Sequence, residues 1–114
     1  MARLDGRIAF VTGAGRGIGR AIAEKLAAEG AAVVVTDLDE DSARTTAKAI
    51  GAEAVGMPAD VTSRESVRQA VAEAKDQFGR IDVLVNNAGW DKAEPFHESD
   101  GSIFNMSMQE PWSF

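Results

Sequence analysis

Apolar and polar positions along this chain switch between two rhythms. "RIAFVT", Arg7 to Thr12, is a short β-rich run that stops at Gly13. From Gly17 onward, Ile18, Ala21, Ile22 and Leu26 recur at helical spacing, and the stripe ends at Gly30, a helix stop. "AVVVTD", Ala32 to Asp37, is nearly continuous and β-branched, as a strand buried on both faces requires. "DEDSARTTAKAIG" then carries Ala43, Ala47 and Ile50 on one helical face and stops at Gly51. "AEAVGMPAD" reads as a third strand, weakened by Gly56 and Pro58. Thr62 to Glu65 has the Thr-x-x-Glu form of a capping box, and behind it Val67, Ala70, Val71, Ala74 and Phe78 make the clearest amphipathic stripe of the chain. Ile81 to Val85 is the fourth strand, closing on two asparagines. The predicted order is βαβαβαβ, an α/β domain with a parallel sheet, right-handed crossovers and helices on both faces.

After Gly89 the rhythm fails. "WDKAEPFHESDGSIFNMSMQEPWSF" contains Pro95 and Pro111 and no sustained period. Ile103, Phe104, Met106 and Met108 suggest a short strand or a helical turn, with nothing to follow it. Residues 1–89 therefore read as one domain and 90–114 as an irregular or weakly ordered tail.

Composition narrows the chemistry. The net charge of −6 argues against a nucleic-acid partner, which would need clustered Lys and Arg. It leaves open a phosphorylated small ligand, because backbone N–H groups hold phosphate without basic side chains. The absence of cysteine removes disulfides, thiol nucleophiles and Cys-based metal sites, and the single histidine, His97, removes a multi-histidine metal site. No apolar run approaches the ~20 residues of a membrane span, and "MARLDGR" lacks the apolar segment of a signal peptide. A cytoplasmic location is the expectation.

The glycine-dense "TGAGRGIG", Thr12 to Gly19, lies between the first predicted strand and the first predicted helix. Gly13 supplies a tight turn, Gly15 and Gly17 leave room for backbone to approach a bulky anion, and Gly19 lets the helix pack closely. The first N–H groups of that helix lack intrahelical partners and carry partial positive charge, so a pyrophosphate would satisfy them. A ligand-free βα turn is the alternative. Asp37 ends the second strand about 20 residues on, where dinucleotide-binding sheets place an acid that accepts from the adenosine ribose 2′-OH. A carboxylate there repels a 2′-phosphate, which favours NAD over NADP. Arg16, within the phosphate loop, could reach toward such a phosphate, and Asp37, Asp39 or Asp41 could equally serve as a helix N-cap.

"TGAGRGIG" resembles the Thr-Gly-x-x-x-Gly-x-Gly motif of the short-chain dehydrogenase/reductase family. "NNAG", Asn86 to Gly89, is similar to that family's second motif, and Asp60-Val61 falls where the family places its adenine contact. The resemblance covers positions 1 to about 98. It implies a Rossmann-like partial doubly wound sheet of order 3-2-1-4. It also implies that Gly13, Gly17, Ile18 and Gly19 line the cofactor phosphates and adjoining ribose, with Arg16 beside them, and that Asp37 binds the adenine ribose. Asp60 would accept from the adenine amino group with the Val61 backbone beside it, though a turn before Thr62 would also use an aspartate. Asn87, Ala88 and Gly89 would face the cofactor ribose, where an ordinary turn is the alternative.

The family's catalytic serine, its Tyr-x-x-x-Lys and its helix asparagine have no counterparts. The chain contains no tyrosine, and its last lysine is Lys92. Asn105 lies too near Gly89, Ser102, Ser107 and Ser113 have no base beside them, and His97 reads as a solvated loop residue. Trp90 and Trp112 read as covers for apolar surface. No catalytic or metal-binding residue is therefore assigned. The resemblance implies an NAD(P)-dependent oxidoreductase truncated before its catalytic half and inactive alone. A non-catalytic NAD or adenine-nucleotide module, and an interaction protein pairing with a full-length relative, are the alternatives. With nothing after it, the fourth strand would be an open apolar edge that invites self-association.

Overall fold

A computed structural model describes residues 4–51, 53–87 and 104–107. The elements run β1 (Ile8–Val11), α1 (Gly17–Ala28), β2 (Ala32–Asp37), α2 (Glu40–Ile50), β3 (Ala54–Pro58), α3 (Arg64–Phe78), β4 (Val83–Asn86) and β5 (Phe104–Ser107). The strands form one sheet of order β3-β2-β1-β4-β5, parallel at every pairing. The βαβαβαβ order, the parallel sheet and the 3-2-1-4 arrangement expected from sequence are all present.

Strand side chains alternate between two cores. Ile8, Phe10, Val34 and Leu84 pack with Val67, Ala70, Val71 and Ala74 of α3. Ala9, Val11, Val33, Val35 and Val85 pack with Ala23 of α1 and with Ala43 and Ala47 of α2. Each sheet face is thus covered, which is why β1 and β2 read as continuous apolar runs. Phe10 is fully buried on the α3 side, and burial of such a side chain contributes about 1.5–3 kcal/mol.

Three local expectations change. The α1 stripe is rotated: Gly19 and Ala23 are buried, while Ile18 is 63% exposed. Small residues one turn apart bring α1 close to the sheet, and Ile22, Leu26 and Ala27 flank that contact. The cap of α3 is Ser63, not Thr62. The Ser63 hydroxyl accepts from Ser66 N, because Thr62 turns back and gives both its N–H and its hydroxyl to Asp60. Finally, β4 is not an open edge. Residues 104–107, within the stretch read as irregular tail, pair with it from Val83↔Phe104 to Asn86↔Ser107. This strand takes up the main-chain groups of β4 that would otherwise face outward, so the motive for self-association through β4 falls away.

The amino-terminal end of the sheet is held by Asp82. Its N–H donates to Ile8 O at 2.8 Å and its Oδ2 accepts from Ile8 N at 2.8 Å. Arg80 Nε donates to both carboxylate oxygens. These bonds extend the β1–β4 pairing one step below the ladder and leave the far, carboxyl-terminal ends of the strands for a different use.

Gly56 permits the α2–β3 contact. A Cβ there would lie 2.6 Å from Ala43 O and 2.7 Å from Arg44 Cα, so any side chain pushes backbone against backbone. Gly56→Ala is expected to destabilise the fold by about 1–3 kcal/mol, read as a lower urea midpoint; an unchanged midpoint would show that α2 can move freely.

Candidate functional site

At the carboxyl end of β1 the chain leaves the sheet through Gly13 to Gly17 and returns as α1. Gly13 and Gly17 both adopt positive φ, 61° and 62°, a region that side-chain-bearing residues rarely enter. A Cβ on Gly17 would meet nothing within 4 Å among the described residues, so its glycine is required by backbone conformation and not by packing. Gly19 is the opposite case, with its Cβ position 2.0 Å from Gly13 O and 2.6 Å from Asn87 Nδ2. Gly15 is explained by packing rather than by room for an anion: a Cβ there would collide with Ser42 Cβ at 2.6 Å and Asp37 Oδ2 at 2.8 Å.

The turn is tied down from three strands and a helix. Thr12 N donates to Val85 O. The Thr12 hydroxyl lies 3.2 Å from Asn86 Oδ1 and accepts from Asn87 N at 3.0 Å. Ala14 N donates to Thr36 O, while the buried Thr36 hydroxyl donates to Val11 O. Thr46, fully buried in α2, donates to Gly15 O at 3.1 Å. Asn87 Nδ2 donates to Gly13 O at 3.3 Å. Asn87 therefore acts here as a brace for the loop.

The helix N-termini differ. Asp39 caps α2 through its side chain and Ser63 caps α3. The N-cap of α1 is Arg16, which makes no side-chain cap bond, and the first turn of α1 contains no acid. Among the described residues, the leading N–H groups of α1 thus have no side-chain cap and no first-turn acid to offset their partial positive charge.

Asp37 ends β2 beside this turn and is 9% exposed. Its Oδ2 accepts from Gly15 N at 2.9 Å and its Oδ1 from Asp39 N at 3.0 Å, so one side chain fixes both the glycine turn and the start of α2. Arg16 points to the same corner, with a guanidinium nitrogen 3.9 Å from Asp39 Oδ2. The Ser42 hydroxyl and N–H, then the Asp41 N–H and Arg16, hold the Asp39 carboxyl below the usual aspartate range against the opposing effect of desolvation. Leu38, between the two acids, is 74% exposed. Ile18 and Leu38 are the two exposed large apolar side chains among the described residues; Ile18 lies in the first turn of α1 and Leu38 directly follows β2.

Asp60 and Val61 follow β3, both half-buried. The Thr62 hydroxyl and N–H hold the Asp60 carboxyl below the usual range, outweighing desolvation. Ala88, Gly89, Trp90, Lys92, His97, Ser102, Trp112 and Ser113 lie outside the described residues. The structure brings together Gly13, Arg16, Gly17, Ile18, Gly19, Asp37 and Asn87, at the point where the strand order reverses between β1 and β4. Open α/β sheets bind ligands at such a point. Thr12 and Asn86 open the two motifs quoted from the sequence, but Thr36 and Thr46, which also hold the loop, were not singled out there. Their only signal is a polar residue at the end of an apolar run or, for Thr46, beside Ala47 on the buried face of α2. Among the described residues, no three or more His, Cys, Asp or Glu side chains could together hold a metal ion, and no helix is long and apolar enough to cross a membrane.

Residues 7–110 match the short chain dehydrogenase family. The chain belongs to that family. It is 50% identical to a sorbitol dehydrogenase of Cereibacter sphaeroides over 75% of its own length and 34% of the relative's. It is 39% identical to a galactitol 2-dehydrogenase of Agrobacterium fabrum over 96% of its length and 44% of the relative's. Among solved structures it superposes with TM-score 0.74 and 43% identity on a 3-ketoacyl-(acyl-carrier-protein) reductase from Brucella melitensis complexed with NADH, covering 75% of this chain and 35% of that one. A hydroxysteroid dehydrogenase from Escherichia coli matches with TM-score 0.74 and 42% identity, over 77% and 38% of the two chains. The chain thus spans between a third and a half of the length of these family members.

Two tests probe the framework. Thr12→Val keeps the shape but removes the hydroxyl that joins β1 to Asn86 and Asn87. It should destabilise the fold by about 1–3 kcal/mol in urea unfolding, with Thr12→Ser, which keeps the hydroxyl, escaping most of that loss; a neutral Thr12→Val would remove the hydroxyl from the framework. The Asp60 carboxyl is held below its unfolded pKa, so its contribution is complete above about pH 4 and is lost as the pH falls through the folded value. The deficit of Asp60→Ala relative to the parent should therefore be present at neutral pH and shrink on acidification, measured as the difference in urea midpoints.

Proposed function

We propose that this chain is the cofactor-binding part of an NAD-dependent short-chain dehydrogenase/reductase, whose reaction moves hydride between an alcohol or carbonyl and a nicotinamide. The observation that carries this is the amino end of α1, which follows β1 through the glycine turn, has no side-chain cap, and starts next to the turn whose Gly15 N–H is held by the Asp37 carboxylate. The residues present fit a dinucleotide. Backbone N–H groups at Gly17, Ile18 and Gly19 suit a pyrophosphate, with Gly13 shaping the turn. Asp37 suits the 2′-OH of the adenosine ribose and disfavours a 2′-phosphate, which supports NAD over NADP. The exposed Ile18 and Leu38 offer apolar surface beside those polar contacts. Asp60 and Val61 would meet the adenine, and Asn87, Ala88 and Gly89 the ribose toward the nicotinamide.

When bound, the dinucleotide supplies the hydride chemistry. This chain's own residues bind and orient it; with no tyrosine in the sequence, they offer no tyrosine hydroxyl for proton transfer. No catalytic residue is assigned. That absence favours a second reading for the chain by itself, a non-catalytic module that holds adenine nucleotides.

Titration with NADH and with ADP-ribose, followed by calorimetry, tests both. Binding of both ligands at millimolar concentration is expected, weakened about tenfold by Asp37→Asn, since a hydrogen bond to a charged group is worth about 1.5–3 kcal/mol. Equal affinity for the two ligands supports the second reading, and tighter binding of NADH the first. A folded chain that binds neither overturns both.

A further inference from the structure

We propose that Asp39 is a specificity-determining residue: it holds Arg16 and so keeps the glycine turn from accepting a 2′-phosphorylated dinucleotide. The inference rests on the dinucleotide reading above and concerns which dinucleotide is taken. Arg16 is the basic residue of the turn, and its side chain is 75% exposed. Left alone it would be the natural partner of a 2′-phosphate near Asp37. Its guanidinium instead lies 3.9 Å from Asp39 Oδ2. Arg20 and Arg44 are engaged by Glu24 and Glu40 on their own helices, and offer no ready substitute.

The Asp39 carboxylate is not a loose surface charge. Its Oδ1 accepts from Asp41 N at 3.1 Å and from Ser42 N at 3.3 Å, and its Oδ2 accepts from the Ser42 hydroxyl at 3.0 Å. The acid is thus held by α2 itself, independently of Arg16. A 2′-phosphate at the end of β2 meets the Asp37 carboxylate, a second fixed carboxylate two residues on, and a guanidinium already shared with that second acid. Removing the charge of Asp39 changes two things together: one repelling group goes, and Arg16 becomes available as an attracting one.

The test is a double-mutant cycle on the full chain, read as dissociation constants for NADH and NADPH by nucleotide fluorescence at low salt. Asp39→Asn and Asp39→Ser both retain an oxygen that can cap α2, and circular dichroism checks that each folds. Either should lower the NADPH:NADH ratio of dissociation constants by about three- to fivefold, the scale of a single exposed ion pair, with the change fading at high salt. Arg16→Gln alone should leave the ratio nearly unchanged. In the Asp39→Asn background it should reverse much of the gain. An unchanged ratio in both Asp39 variants overturns the proposal. So does the same fall with and without Arg16, which would make Asp39 a simple repelling charge. If the parent chain binds neither nucleotide, the dinucleotide reading itself is overturned, and this inference with it.

Discussion

A Cβ at position 19 would lie 2.0 Å from the Gly13 carbonyl oxygen, well inside contact distance. The absence of that one atom lets α1 start directly above the end of β1. Much at the carboxyl end of the sheet depends on this closeness. It brings the leading N–H groups of α1 into line with the exit of the strand, and it brings Asn87 within reach of Gly13 O. A bulkier residue would force the helix outward and take its N-terminal charge away from Asp37.

The two ends of the sheet are stabilised by different chemistry. At the amino end, Asp82 with Arg80 continues the β1–β4 pairing through a carboxylate. At the carboxyl end the work falls to neutral hydroxyls and amides: Thr12, Thr36, Thr46 and Asn87 each bind a main-chain group of the turn or of a strand next to it. These groups fix the loop without adding charge, so the local field is set by the helix terminus, the carboxylates of Asp37 and Asp39 and the Arg16 guanidinium. A site meant to hold an anion beside a ribose benefits from that separation between scaffold and field.

Much of this was legible in the sequence because periodicity reports burial directly. β2 and the α3 stripe stand as expected, since Ala32 to Asp37 and Val67 to Ala74 each face a core that demands apolar residues. The strand-turn-helix setting of the glycines and the acid at Asp37 were legible for the same reason. What could not be read was tertiary. The orientation of α1 is decided by the small residues Gly19 and Ala23 rather than by the larger Ile18, and a count of apolar positions weights them the wrong way. β5 is four residues long, too short for its alternation of Phe, Asn, Met and Ser to stand out, and only the unfilled side of β4 explains its pairing. Ser63 replaced Thr62 as a cap because Asp60, two residues upstream, claims the threonine. The loop-holding threonines look like ordinary strand and helix residues until their partners, distant in sequence, are known.

The place of β1 in the sheet has a consequence for biosynthesis. β1 is the first strand made, yet it lies between β2 and β4. Its β2 side is filled early, but the Asp82 that pairs with Ile8 comes 74 residues later. At about 5–20 residues per second, a ribosome takes roughly 4–15 s to cover that distance. Throughout that interval the second hydrogen-bonding edge of β1 has no native partner, and for most of it Phe10 also lacks the α3 residues, Val67 to Ala74, that will cover it. The nascent chain is therefore open to chaperones, and to mispairing, along a strand that ends buried between two neighbours.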